Sequence, residues 1–277
     1  MKTLVMHYSP DLDCCTGTWL FLRYYTDWSE AQLSFVSAGK TLDNVPVDSD
    51  EDVIHVDTGL GLFDHHQLDY RTSASRICLD YLTQNNYIKK THQDALERIV
   101  DIVTMYDNFG EIYFEDSDSD VYQFSINEII GGIKALTQDD TSTAKTTFLM
   151  LDSLLLVMRN KVSAEKEIKK GFSMNTIFGK TLFLESKNDD TLKVALKQDF
   201  TCVIRKDPGT GIIRIKTYPD IKYDLTRLYN TIIEQDKNAT WFLHNSKNML
   251  LNGSAKNILN KPSKLTLLNL IAILKNL

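Results

Sequence analysis

The sequence contains no CxxC pair, no internal repeat, no low-complexity segment and no apolar run long enough to cross a bilayer. Its four cysteines, Cys14, Cys15, Cys78 and Cys202, are spaced like reduced, mostly buried thiols of a cytoplasmic protein. The apolar opening "MKTLVMHYSP" is too short for a signal peptide, and no small-residue cleavage site follows it. The C-terminal "LTLLNLIAILKNL" is broken by Asn269 and Lys275 and falls short of the roughly 20 residues of a membrane span. It reads as a packed amphipathic helix, and no membrane partner is expected. A basic excess is also missing: the net charge is −6. That excludes a broad basic face for long DNA or RNA. It leaves room for a small anionic substrate if a metal supplies the local positive charge.

What is present is an ordinary globular composition, with 43% hydrophobic and 25% charged residues over a 277-residue chain. That length buries a sizeable core in one large or two ordinary domains. "KTLVMH", "QLSFVSA" and "EDVIHVD" are apolar, β-branched runs and predict strands. "TGTWLFLRYYTDW", capped by Thr16 or Thr18, "SASRICLDYLTQNN", capped by Ser73, and "QDALERIVDIVTMYDN" predict helices. Alternation of this kind implies a parallel α/β sheet. The acidic "YFEDSDSDVYQ" lacks the glycine and glutamate of a calcium loop, with Val121 and Asn127 in their places, and reads as solvated. Residues 141–172 predict a long connecting helix.

The second half changes character. "NTIFGKTLFLES", "FTCVIRK", "GIIRIKT", "TWFLHN" and "NMLLNG" predict strands, with "DPGTG" as a hairpin turn. "DLTRLYNTIIEQD" and "KLTLLNLIAILKN" predict helices. The expected fold class is α/β: a parallel-sheet domain over 1–140, a helical connector over 141–172 and a smaller α+β domain over 173–277.

The titratable residues gather at the predicted strand ends. His7, Asp11 and Asp13 follow the first strand, Asp57 ends another, Asp64, His65 and His66 stand in the next loop, and Asp107 ends a helix. In a parallel sheet the carboxyl ends of the strands line one crevice, where ligands bind. Carboxylates mixed with imidazoles suit Mn²⁺-like ions better than thiophilic ones. One ion needs three or four protein ligands, so this surplus points to two, about 3.5–4 Å apart. Taken singly, an aspartate at a strand end is a turn or helix cap, and a histidine pair in a loop is surface. It is the three motifs together that point to a metal site.

"HYSPDLD", "VIHVDTG" and "FDHHQ" resemble the DHH phosphoesterase superfamily, named for the triplet present here as Asp64-His65-His66. The ending "DHHQ" and "YDNFG" at 106–110 are most similar to the Myg-type branch of metal-dependent hydrolases. The resemblance covers about residues 1–110. It implies that His7 and Asp11 hold one ion, that Asp13, His65 and Asp107 hold a second, and that Asp57 bridges them. It further implies that His66 contacts the phosphoryl group and that Asp64 orients a ligand histidine. Asp101 competes with Asp107 for the last metal position.

Cys14 and Cys15 stand where many relatives have small residues; they read as packing of the first helical turn, with a thiolate ligand as the alternative. His55 reads as a structural histidine and His92 as a surface one. The "GGGH"-type motif and the pyrophosphatase-type "SRKKQ" are absent. Gly253, Ser254 and Lys256 in "LLNGSAKN", with Arg205 and Lys206, are the candidate substrate contacts in the second domain; Lys264 and His244 are weaker ones.

The expected function is a cytoplasmic metal-dependent phosphohydrolase of nuclease type. A hydroxide between two divalent ions, Mn²⁺ before Mg²⁺ or Co²⁺, would cleave phosphodiesters of short oligonucleotides or small nucleotides. The alternatives are a phosphoanhydride or phosphomonoester hydrolase and a non-catalytic nucleotide-binding regulator. The oligomeric state, a homodimer among the options, is left open.

Overall fold

A computed structural model of the chain describes residues 1–253 and 259–277. It divides into two compact units, Met1–Arg159 and Asn160–Leu277. The division falls within the stretch expected to connect two domains.

In the first unit the order is β1 (Thr3–His7), α1 (Leu12–Tyr24), β2 (Gln32–Val36), β3 (Val53–His55), α2 (Ala74–Gln84), α3 (Lys90–Asp107), α4 (Ile126–Thr137) and α5 (Asp140–Ile168), the last running past the division. The sheet order is β2-β1-β3, and both pairings are parallel. Leu4, Val5 and Met6 of the central strand are wholly buried. A strand paired on both edges and covered on both faces carries an unbroken apolar run, which is why "LVM" does not alternate. Gly17 lets α1 lie close to its neighbours: a methyl there would stand 2.7 Å from Val56 Cγ1 and 3.2 Å from Cys78 Sγ. Cys14 and Cys15 pack with Met6 and Ala144.

The second unit contains β4 (Phe172–Thr176), β5 (Gly179–Glu185), α6 (Asp190–Leu196), β6 (Cys202–Lys206), β7 (Ile213–Thr217), α7 (Thr226–Gln235), β8 (Trp241–Leu243), β9 (Met249–Asn252) and α8 (Leu267–Lys275). They build one sheet in the order β4-β5-β6-β7-β9-β8. Only β5 and β6 run parallel, and α6 is the crossover between them. The side chains of β7 alternate between buried and half-buried. Ile204, Ile213 and Ile215 meet Leu228 and Ile232 of α7 and Leu270, Ile273 and Leu274 of α8. The fold class is therefore as expected, a parallel α/β unit followed by an α+β unit. Among the described residues, no helix is long and apolar enough to cross a membrane.

Four local expectations are corrected. Helix α1 starts at Leu12, capped by Asp11 rather than by Thr16 or Thr18. The single strand read in "NTIFGKTLFLES" is the end of one strand, a tight turn at Ile177–Phe178 and a second strand. Helices α4 and α6 were not anticipated. His92 is half-buried and bonds Tyr24 Oη through Nδ1 at 2.8 Å, so it belongs to the packing of α3 on α1.

Candidate metal centre

The first unit brings all eight predicted residues of the N-terminal motifs to the carboxyl ends of its strands. His7 is the last residue of β1. Its Nδ1 donates to Tyr8 O at 2.8 Å, which leaves Nε2 facing the cluster. A backbone partner on one ring nitrogen is the usual way to present the other to an ion. Asp11 spends one carboxylate oxygen on Cys14 N, at 2.9 Å, as the cap of α1. Its other oxygen lies 3.7 Å from His7 Nε2. Asp13, in the first turn of α1, is 2% exposed and accepts Ala74 N at 2.7 Å and Ser75 N at 3.0 Å. The N-terminus of α2 thus holds this buried carboxylate in place.

Asp57 stands two residues beyond β3 with φ of +59°, a left-handed backbone that an aspartate tolerates better than most residues. Ser9 and Phe109, each two residues from a cluster aspartate, also have positive φ. Asp57 Oδ2 lies 3.4 Å from His7 Nε2, and its Oδ1 lies 3.3 Å from His65 Nε2 and 3.7 Å from His66 Nδ1. His65 Nε2 is in turn 3.6 Å from Asp107 Oδ2.

Three ligand groups therefore converge: His7, Cys14 and Asp57; Asp57, His65 and His66; Asp13, His65 and Asp107. In each, the donor atoms lie within 4.8 Å of one another. Asp57 Oδ1 and His65 Nε2 face each other across 3.3 Å, yet both are buried and neither makes a hydrogen bond. Buried polar atoms are nearly always paired. Asp57 Oδ1 and His65 Nε2 meet only as an ion pair, and their donor chemistry, with that of the neighbouring carboxylates, is one that could hold a divalent cation.

The protonation pattern says the same. Burial pulls the His7 imidazole down, but the Asp11 and Asp57 carboxylates outweigh it and raise it to about 10. His65 is raised to about 9 by the Asp57 carboxylate beside it, against burial and with help from Asp107. Burial, then the charges of Asp57 and Asp107, push Asp13 up to about 8. Burial raises Asp107 to about 6, with His65 opposing. Protons stand in for positive charge in a cluster that has too little of it.

Asp64 differs. Burial would raise it, but the His66 N–H and ring, with Leu60 N, hold it below the ordinary carboxylate range. Its Oδ1 accepts His66 Nδ1 at 2.7 Å. The ring that Asp64 orients is thus His66, the exposed one of the pair, and not His65. Asp101 is drawn away from the centre by Arg76, at 2.6 Å. His55 accepts Leu42 N at 3.0 Å through Nε2, outside the cluster. Cys14 is buried as expected, yet its Sγ also borders the His7–Asp57 pair.

The candidates in the second unit fare differently. Arg205 is 3% exposed, donates to Ser186 O at 2.7 Å and pairs with Asp189 at 2.9 Å. Only its Nε lacks a partner. An arginine internalised in this way is structural, which corrects its expected role at a phosphate. Lys206 Nζ donates to Leu265 O at 2.6 Å. Gly253 has φ of +76° and sits against Asn260, where no side chain would fit. Ser254 and Lys256 lie outside the described residues. His244 bonds Ser246 through Nδ1.

Two cations on segments that border the centre carried no sequence signal. Lys134 Nζ donates to Ser9 O at 2.8 Å, and its charge helps lower Asp11. Arg71 follows the DHH loop, with its guanidinium beside Gly110.

No family model matches the chain, and no curated protein does. Among solved structures it is similar to an exopolyphosphatase-related protein from Bacteroides fragilis, over 99% of this chain and 91% of that one, at 12% identity and a TM-score of 0.27. It is also similar to the DHH domain of a member of a family of ribosomal proteins, over 90% of this chain and 82% of that one, at 10% identity and a TM-score of 0.29. Likeness at this level identifies neither a family nor an activity. The chemistry has to be argued from the side chains of this chain.

Proposed function

We propose that this chain is a DHH-type metal-dependent phosphohydrolase that cleaves phosphodiester bonds of short oligonucleotides or small nucleotides. The observation that supports it best is the position of Asp57. One oxygen faces His7, the other faces His65 and His66, and the same carboxylate belongs to two of the three ligand groups. A carboxylate placed in this way could serve both ligand groups if two ions were bound. His7 and Asp11 would hold one ion, Asp13, His65 and Asp107 the other, with Mn²⁺ favoured by the oxygen and imidazole donors.

When bound, the pair of ions supplies Lewis-acid stabilisation of the phosphoryl oxygens and a water acidified towards neutral pH. The protein does the rest. Asp64 keeps its charge, takes the hydrogen bond from His66 Nδ1 and so fixes that ring with Nε2 turned outward. His66 is then placed to meet a phosphoryl oxygen and steady the charge that develops on it. Asp13, anchored on α2, keeps the second ligand group from drifting as the charge state changes.

The test is turnover with Mn²⁺ on a panel of dinucleotides, 3′,5′-bisphosphate nucleotides, pyrophosphate and single-stranded RNA. Cleavage of dinucleotides or RNA ends supports the proposal. Cleavage of pyrophosphate or bisphosphates alone replaces it with a phosphoanhydride or phosphomonoester hydrolase. No turnover with ions bound replaces it with a nucleotide-binding regulator.

A further inference from the structure

The candidate centre gathers the carboxylates of Asp11, Asp13, Asp57, Asp64 and Asp107, more negative charge than two divalent ions cancel. A phosphate arriving there adds to it. Recognition then calls for a cation that the protein has not already used. Of the two cations on segments that border the centre, Lys134 is taken by Ser9 O. Arg71 is exposed, and among the described residues no hydrogen bond or ion pair engages its guanidinium.

The backbone just after it, by contrast, is held from both sides of the metal cluster. Thr72 O accepts Asn108 Nδ2 at 2.9 Å, and the same amide lies 3.2 Å from Asp107 Oδ2. Ala74 N and Ser75 N bind the Asp13 carboxylate. The residues directly after Arg71 are therefore tied to two candidate ligands, one from each end of the second ligand group. The guanidinium itself occupies space kept open by a glycine. A methyl on Gly110 would fall 2.7 Å from Arg71 Nη2, 2.5 Å from Met105 Cγ and 2.9 Å from Met105 O.

We propose that Arg71 is the substrate-binding cation of this centre, gripping a phosphate of the nucleotide through its guanidinium fork. The inference rests on the phosphohydrolase reading above. It adds a residue that is no metal ligand and lies in the first unit, where sequence reasoning had looked for phosphate contacts in the second. A planar fork matches two phosphate oxygens, so lysine would replace it only in part.

The test compares Arg71→Ala and Arg71→Lys with the wild-type protein, all loaded with Mn²⁺. Two probes are used: turnover of the dinucleotide pApA, and calorimetric binding of inorganic phosphate. Arg71→Ala should raise KM for pApA and weaken phosphate binding by about ten- to hundredfold, with kcat changed far less. Arg71→Lys should recover part of both. Mn²⁺ stoichiometry and Tm should not move, because the side chain is exposed and unpartnered. Wild-type-like KM and phosphate affinity in Arg71→Ala would overturn the inference, as would loss of bound Mn²⁺ or of stability. If the wild-type protein binds phosphate but turns over nothing, the function fails while the phosphate arm still judges Arg71. If it binds no phosphate, the inference fails too.

Discussion

In the unit Met1–Arg159, Asp57 and His65 face each other, buried, across 3.3 Å without a hydrogen bond. In the unit Asn160–Leu277, the buried Arg205 and Asp236 are hydrogen-bonded from within, except at Arg205 Nε. Arg205 is shared by Ser186 O and Asp189, and Asp236 accepts Trp241 Nε1 at 3.0 Å and Ser263 Oγ at 2.5 Å. The second pattern is what folding alone selects, since an unpaired buried charge is costly. The first pairs opposite charges at 3.3 Å without a hydrogen bond, an arrangement that a bound cation would complete.

This contrast can be broken at either end, and the largest effect should come from the first unit. Asp57→Asn keeps the shape but removes the charge that two ligand groups share. Turnover should fall on the order of 10³-fold, or about 4 kcal/mol of barrier, measured with Mn²⁺ on the substrate found by the panel. A fully active variant would remove the shared carboxylate from the account.

In the second unit, Arg205→Ala leaves Ser186 O without its partner and Asp189 with Arg214 alone. Stability should drop by about 2–4 kcal/mol in denaturant unfolding, while Mn²⁺ binding stays as in the wild-type protein. Lost metal binding would mean that charge in the two units is not used separately.

Asp64→Asn tests a residue between these extremes, a buried carboxylate that orients His66 and also accepts Leu60 N. It should lower kcat about 10- to 100-fold and leave the number of bound ions unchanged. A loss of ions would make Asp64 part of the ligand set.

The smallest effect is one of pH. His7 and His65 are raised in the folded, metal-free protein from 6.5 to about 10 and about 9, so their protonated forms stabilise it fully below pH 6.5. That contribution is lost as pH rises through 9 and 10. Asp13, raised from 3.8 to about 8, adds a loss of the same sign between those values. The metal-free Tm should therefore fall from pH 6 to pH 9, and Mn²⁺ should raise Tm more at the upper end. A larger Mn²⁺ effect at pH 6 would contradict the protonation pattern.

Much of this was legible in the sequence where the signal is local. Ser73 caps α2 as its position suggests, the "DPGTG" turn closes β6 onto β7, and "HYSPDLD", "VIHVDTG" and "FDHHQ" converge because β1 and β3 are parallel neighbours. The start of α1 was misplaced because its cap, Asp11, is also a candidate ligand, so "DLDCC" reads as loop. Helix α4 carries Gly131 and Gly132 in its middle, which mask the apolar period of Ile126, Ile129, Ile130 and Ile133. Arg205 looked like a hairpin cation. Its burial depends on Asp189 and on Ser186, distant in sequence. Arg71 showed no pattern at all, since one arginine means nothing until Gly110 and Asn108 are beside it.

The most direct measurement is the number of Mn²⁺ ions bound per chain, by calorimetry on metal-stripped protein with elemental analysis of the product. The account predicts two in the wild-type protein and at most one in Asp57→Asn. One ion or none in the wild-type protein, or two retained in Asp57→Asn, would contradict it.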